Sequence, residues 1–260
     1  MGLSASRASG VGNNLKHCTL WKADRSPACR AVMMALDALD LNINEVDVNM
    51  DKGEHRSPEM IVMNPLQTLP ILKDRNLILN DSNAIATYMA TRYWSPHASK
   101  LLPSDPGARA MIDQFMFFNS NVLYPRYKEA AHPILYKNCR YVPPNTMCDI
   151  QCAYADLEKM LQGRMFIGGS SPSMGDIMLI ATVSTLNILV PIDQIEFPRV
   201  SSWVHRMSEE MFYTTANKKG LCEFARRLES GCIDDNNEFK CPRLSDRRRA
   251  AAATLEAAKG

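Results

Sequence analysis

Apolar residues along this chain follow two regimes of spacing. Before about residue 93, short runs that alternate like strands are interleaved with helical runs, and after about residue 106 only helical spacing continues. His17 to Trp21 alternates as a strand does. Ser26-Pro27 then opens a segment that carries Val32, Met33, Leu36 and Leu39 at helical spacing. Asn44 to Val48 alternates again, Ile71 to Lys73 and Leu77 to Leu79 flank the turn Asp74-Arg75-Asn76 as a hairpin, and Ser82 to Tyr93 reads as a helix.

The order βαβ followed by ββα is that of an α/β, thioredoxin-like half-chain. Past a connector containing Pro96, Pro103 and Pro106, an all-α region is expected, with Ile150, Ala153, Tyr154, Leu157 and Leu161 on one helix face. A further helix should begin at Ser173, because Ser173-x-x-Asp176 sets an N-cap hydroxyl three residues before a carboxylate that can return a hydrogen bond. From Ile233 the chain turns polar, with Arg247-Arg248-Arg249 beside Asp246 and an Ala-rich end. The expected layout is a flexible leader over 1–16, a thioredoxin-like domain over 17–97, a linker over 98–105, an all-helical domain over 106–232 and a polar, basic tail over 233–260.

Composition narrows the function classes. Of 260 residues, 46% are apolar and 22% charged, a balance that can bury a sizeable core. The 30 basic and 28 acidic side chains leave a net charge of +2, and no nucleic-acid motif is present, so nucleic acid is not an expected partner. Eight cysteines are scattered without Cys-x-x-Cys pairs or a neighbouring His cluster, which indicates neither a zinc site nor a redox pair; their density is too low for a disulfide framework and suits a reducing cytoplasm. No apolar run reaches the roughly 20 residues that span a bilayer, and no signal-peptide core is visible. Met1-Gly2-Leu3-Ser4-Ala5-Ser6 fits the N-myristoylation pattern at Gly2, but the Gly, Ser and Asn around it read equally as a plain leader. Stable membrane insertion is not expected.

Four segments in this order carry a family resemblance: Ser26-Pro27-Ala28-Cys29-Arg30, Lys52-Gly53-Glu54-His55, Asn64-Pro65-Leu66-Gln67-Thr68-Leu69-Pro70 and Asp81-Ser82-Asn83-Ala84-Ile85. Together they resemble the glutathione-site motifs of cytosolic glutathione transferases of the insect delta and epsilon classes. The likeness extends over about residues 17 to 230, through Phe117-Phe118, Leu123-Tyr124 and the Ser173 helix start. It implies a two-domain homodimeric enzyme that takes glutathione as co-substrate, needs no metal or other cofactor, and conjugates it to small hydrophobic electrophiles in detoxification.

The chemistry behind the resemblance starts from the thiol. A free cysteine has a pKa of roughly 8.5, so a nucleophilic thiolate near neutral pH needs stabilisation. A hydroxyl donor at a helix N-terminus supplies a hydrogen bond and the positive end of the helix dipole, and Ser26 stands where that is possible. Read without the family, Ser26 is an ordinary N-cap. Cys29 lies inside the helix and reads as a small apolar group rather than a nucleophile. The resemblance further implies a cis Leu69-Pro70 bond, although trans is the generic expectation for an X-Pro bond. It also implies main-chain pairing of Leu69 with the cysteinyl part of glutathione, a γ-glutamyl site at Asp81 and Ser82, and a glycine-carboxylate site at His55 and Gln67.

Three positions depart from the family pattern. Gln67 stands where His is usual, Asn83 where Arg or His is frequent, and Ala28 where epsilon members have Pro. Losing a cation there weakens the hold on a carboxylate, since charge-assisted hydrogen bonds are roughly twice as strong as neutral ones. The positions matching the apolar second-substrate pocket are Phe117, Tyr124, Tyr127, His132 and Tyr136, which as a set suit flat or greasy ligands. Aromatic residues at helical spacing also serve as core, and at least one of Phe117 and Phe118 should. Two rivals remain: a carrier of hydrophobic ligands that has lost efficient catalysis, and a docking module that binds neither.

Overall fold

The computed structural model describes residues 13–137 and 139–229; Gly2 with its acylation pattern and the polar tail lie outside them. Four strands, β1 (Asn13–Lys22), β2 (Leu41–Asp47), β3 (Ile71–Asp74) and β4 (Leu77–Leu79), form one sheet in the order β2-β1-β3-β4. β1 and β2 are parallel, joined by α1 (Pro27–Ala38), while β3 and β4 run antiparallel as the expected hairpin. A short helix α2 (Pro58–Met63) lies in the crossover, and α3 (Ser82–Arg92) closes the unit. This is the thioredoxin-like arrangement that the spacing predicts.

Two differences have simple causes. β1 starts at Asn13 rather than His17, because Asn13 to Leu15 pair with Leu41 to Ile43 before the register shifts between Leu15 and Thr19. Such polar residues pair through backbone groups that carry no apolar signature. α2 and the helix α4 (Pro96–Leu101), which enters the expected linker, are six residues each, too short to show a period.

The all-helical part follows as α5 (Pro106–Phe118), α6 (Tyr124–Tyr136), α7 (Pro144–Met160), α8 (Met174–Leu189), α9 (Pro198–Glu209) and α10 (Lys218–Glu229). α8 is buried along nearly its whole length and starts as expected: Ser173 and Asp176 form a reciprocal capping box. The Asp176 carboxylate, fully buried, accepts from the main-chain N–H of Ile167, Gly168 and Ser173, from the Ser173 hydroxyl and from the Trp203 indole at 2.8 Å. α7 and α9 are tied by Glu158, which takes the N–H groups of Arg199 and Val200 at the start of α9.

α1 is packed between the sheet and the helical part, so even its arginine is enclosed. Arg30 donates to Asn217 Oδ1 and to Thr185 Oγ1, the latter at 2.5 Å, and burial lowers its pKa to about 10. α10 approaches the loop before α1 so closely that a Cβ on Gly220 would sit 2.0 Å from the Asp24 carbonyl oxygen. That contact, with the Lys219–Asp24 ion pair at 3.1 Å, sets α10 beside the N-terminus of α1. Among the cysteines, Cys18, Cys29, Cys139, Cys152 and Cys222 are free. Cys148 is disulfide-bonded, which a scatter of unpaired-looking cysteines did not suggest.

Candidate functional site

Ser26 caps α1 with extended backbone angles, and Pro27 follows at the first helical position, where a missing N–H costs nothing. Its Oγ accepts from the Cys29 N–H at 3.4 Å. In that bond the oxygen accepts, so capping and donation to a ligand are compatible roles; the neighbouring acceptor is the buried Cys29 sulfur, whose ionised form a Ser26 hydrogen bond favours. Cys29 is enclosed, and burial raises its thiol pKa to about 11, which makes it a poor nucleophile at neutral pH.

Ser26 faces a cleft of about 860 Å³ between the sheet domain and the helices. On the sheet side the cleft is walled by the 50–56 loop with His55 and by Gln67, Thr68 and Leu69; on the helical side by Tyr124, Tyr127, His132 and Tyr136, with Phe224 of α10. A smaller cavity of about 200 Å³ shares Thr68, Leu69 and Tyr124 with it and continues to Pro70, Asp81 and Ser82. The two helix N-termini, of α1 and α3, border that smaller space, and both offer an environment favourable to anionic groups.

The loop carrying Leu69 is braced from inside. Buried Asn64 donates to the Thr68 carbonyl at 2.8 Å and accepts from the Leu66 N–H and the Asn80 amide, while Gln67 takes a left-handed backbone (φ 54°) that turns the chain. The Leu69-Pro70 bond is cis. His55 is 8% exposed; burial and then Arg56 lower its pKa, so it is a neutral hydrogen-bonding group, and its Nδ1 has no partner among the described residues. Asp81 caps α3 by accepting from the Ala84 N–H at 2.9 Å.

The fold therefore gathers Ser26, His55, Gln67, Leu69, Pro70, Asp81, Ser82, Tyr124, Tyr127, His132 and Tyr136 around two adjoining spaces. Two expected members are elsewhere. Phe117 lines neither space and is 62% exposed, because its neighbours Phe115 and Met116 take the buried face of α5. Asn83 donates to Ser120 Oγ at 2.6 Å, tying α3 to the helical part rather than facing the cleft. Sequence reasoning missed the basic lining, above all Lys128, although Lys128 is one turn from both Tyr124 and His132 and so shares their stripe.

Comparisons with known proteins meet this geometry. Residues 16–91 match the family described as Glutathione S-transferase, N-terminal domain. Over 209 residues, 79% of this chain and 95% of the relative, the sequence is 36% identical to Glutathione S-transferase 1 of Manduca sexta. The chain belongs to the glutathione S-transferase family. Among solved structures it resembles an epsilon-class glutathione S-transferase from the housefly, Musca domestica, with a TM-score of 0.80 and 29% identity, covering 83% of this chain and 99% of that one. It also resembles a glutathione transferase homolog from Drosophila mojavensis, solved with bound glutathione, with a TM-score of 0.78 and 30% identity over 83% of this chain and 98% of that one. The expected kinship with the insect delta and epsilon classes is thus met.

Outside both spaces of this transferase, His17, Cys18 and Asp74 bring ligand atoms within 4.8 Å of one another. Asp74 Oδ2 already accepts from the hydroxyls of Tyr88 and Tyr93 at 2.7 Å each, which makes the cluster a hydrogen-bonded link between sheet and α3. No helix among the described residues is long and apolar enough to cross a membrane.

Proposed function

We propose that this chain is a serine-type glutathione transferase that binds glutathione along the sheet-side wall and joins its sulfur to apolar electrophiles. In this reading Ser26 donates its hydroxyl hydrogen to the glutathione sulfur and, with the N-terminus of α1, favours thiolate over thiol. Each unit by which the thiol pKa falls is worth about 1.4 kcal/mol. The thiolate attacks an electrophilic carbon; a sulfur–carbon bond forms, and with an aryl halide the halide leaves with its electron pair. The thiol proton has gone to solvent beforehand. Leu69 main chain, Asp81 and Ser82 hold the peptide, His55 and Gln67 its glycine end, and Tyr124, Tyr127, His132 and Tyr136 the second substrate. A cytoplasmic homodimer serving detoxification completes the proposal.

The observation that carries it is the helix-capping hydroxyl of Ser26 on the wall of a cleft that adjoins two helix N-termini. Retention of purified protein on immobilised glutathione, followed by conjugation of an aryl halide by wild type and Ser26→Ala, tests it. Conjugation that survives the substitution unchanged overturns the serine role. A second reading, a hydrophobic-ligand carrier on the same fold, gains from the uncharged Gln67 and from Asn83 being engaged by Ser120. Glutathione retention with negligible conjugation in both proteins would favour the carrier.

A further inference from the structure

The cluster of His17, Cys18 and Asp74 lies away from both spaces of the cleft, and the sheet itself assembles it. Cys18 of β1 stands directly opposite Asp74 of β3 in their antiparallel pair, so the two side chains share one face. His17, one residue earlier, would ordinarily point to the other face. It falls inside the register shift between Leu15 and Thr19, and such an irregularity re-aims a side chain. Tyr93, the C-cap of α3, brings a fourth donor atom to the same spot.

These atoms stand at the spacing of a coordination shell. His17 Nε2 is 3.0 Å and Cys18 Sγ 3.4 Å from the Tyr93 oxygen, and His17 Nε2 is 3.4 Å from Asp74 Oδ1. Bonds of 2.0–2.3 Å to a tetrahedral ion set its ligand atoms about 3.3–3.8 Å apart. The hydrogen bonds that link sheet and α3 also leave one atom out. Asp74 Oδ2 takes both tyrosine hydroxyls, while Oδ1, on a side chain 3% exposed, is buried with no hydrogen-bond partner among the described residues. A buried carboxylate oxygen left in that state is costly, and a cation beside it removes the cost. We infer that His17 Nε2, Cys18 Sγ and Asp74 Oδ1 form a binding site for a divalent cation of the zinc kind, with the Tyr93 hydroxyl at the fourth corner.

The donor set selects the ion. Imidazole and thiolate suit zinc, whereas magnesium and calcium take shells of oxygen. Charge closes too, because one thiolate and one carboxylate balance the two positive charges of the ion and leave a neutral site in a half-buried place. Burial keeps the Cys18 thiol protonated near neutral pH, so its proton passes to solvent as the sulfur–metal bond forms. Tyr88 and Tyr93 hold Asp74 through Oδ2 and leave Oδ1 toward the ion, the outer support that orients a ligating carboxylate. Since none of these residues lines the cleft, the ion fastens β1, β3 and the end of α3 together and takes no part in conjugation.

The test uses full-length protein freed of glutathione and stripped of metal with a chelator, then titrated at micromolar concentration with zinc and, for its colour, cobalt. Wild type should take up about one zinc per chain with release of about one proton, and equimolar cobalt should give the intense near-ultraviolet band of a cobalt–thiolate bond. His17→Gln alters a side chain 36% exposed and spares the core; it should weaken zinc by about 100-fold or more, at or beyond the cost of losing an outer partner. Cys18→Ala should abolish the band, and Cys222→Ala, which removes an exposed thiol, should keep it. Conjugation by His17→Gln should equal that of wild type, which separates this site from the function proposed above. No cobalt–thiolate band in wild type, or a band at equimolar cobalt that survives His17→Gln or disappears with Cys222→Ala, would overturn the assignment.

Discussion

Two serines begin two helices in this chain and do different things. Ser26 and Ser173 each accept the main-chain N–H three residues on, at 3.4 and 3.5 Å respectively. Ser173 is 1% exposed, and its hydroxyl hydrogen is consumed by Asp176 at 2.7 Å. At Ser26 the residue three along is Cys29, which offers no carboxylate, and the hydroxyl opens onto the cleft. The same capping signal is therefore structural where a buried carboxylate holds the hydroxyl and available for chemistry where the hydroxyl borders a cleft.

The largest effect is expected at the satisfied end. Asp176→Ala removes the acceptor of four buried donors and of the exposed Gly168 N–H, each buried one costing about 1–3 kcal/mol when left unpaired, so stability should fall by about 3 kcal/mol or more. Urea unfolding followed by fluorescence measures it. A loss under about 1 kcal/mol would mean that water replaces the carboxylate and that the Ser173 start is not saturated as described.

Ser26→Ala should dissociate the two quantities that Asp176→Ala couples. The weak cap bond is worth about 1 kcal/mol of stability, whereas kcat/KM for an aryl halide should drop on the order of 100-fold, as for loss of one donor to a developing or resting anion. The thiolate absorbance of bound glutathione should titrate at higher pH in the variant. An equal fractional loss of stability and rate would make Ser26 a cap and nothing else.

Cys29 sharpens the contrast from inside the same turn. With its thiol pKa pushed to about 11 by burial, it is protonated throughout the neutral range, and the thiolate that alkylating reagents need forms only as pH rises towards that value. At pH 7 iodoacetamide should label exposed Cys222 and spare Cys29 in native protein, as read by peptide mass spectrometry. Cys29→Ala should keep most of the conjugating activity that Ser26→Ala loses. Rapid native labelling of Cys29 would bring it to the cleft as a rival nucleophile.

How much of this was legible beforehand follows physical lines. Long elements such as α1 and α8, although enclosed on most sides, were visible through their start signals, Ser26-Pro27 and Ser173-x-x-Asp176, and through apolar residues at helical spacing. β1 before His17, α2 and α4 were not, since polar strand pairing and six-residue helices leave no period. The lining of the cleft was visible through motif order, but side-chain direction was not, so Asn83 turned to Ser120 and Phe117 turned outward without any sign in their spacing. Charge was the least legible. A net +2 averaged over 260 residues conceals six cations converging from separate segments on one cleft.

Phe117 gives the smallest expected effect and a limit on the lesson of the two serines. It is exposed, as Ser26 partly is, yet Phe117 lines neither described space, whereas Ser26 looks into a cleft with walls on both sides. Phe117→Ala should leave KM for the electrophile within about twofold and stability within about 0.5 kcal/mol, as is usual for surface changes away from special features. Steady-state kinetics beside a thermal melt decide the matter. A several-fold rise in KM at unchanged stability would place this ring against the bound electrophile, and exposure rather than enclosure would then be the better guide to which side chains act.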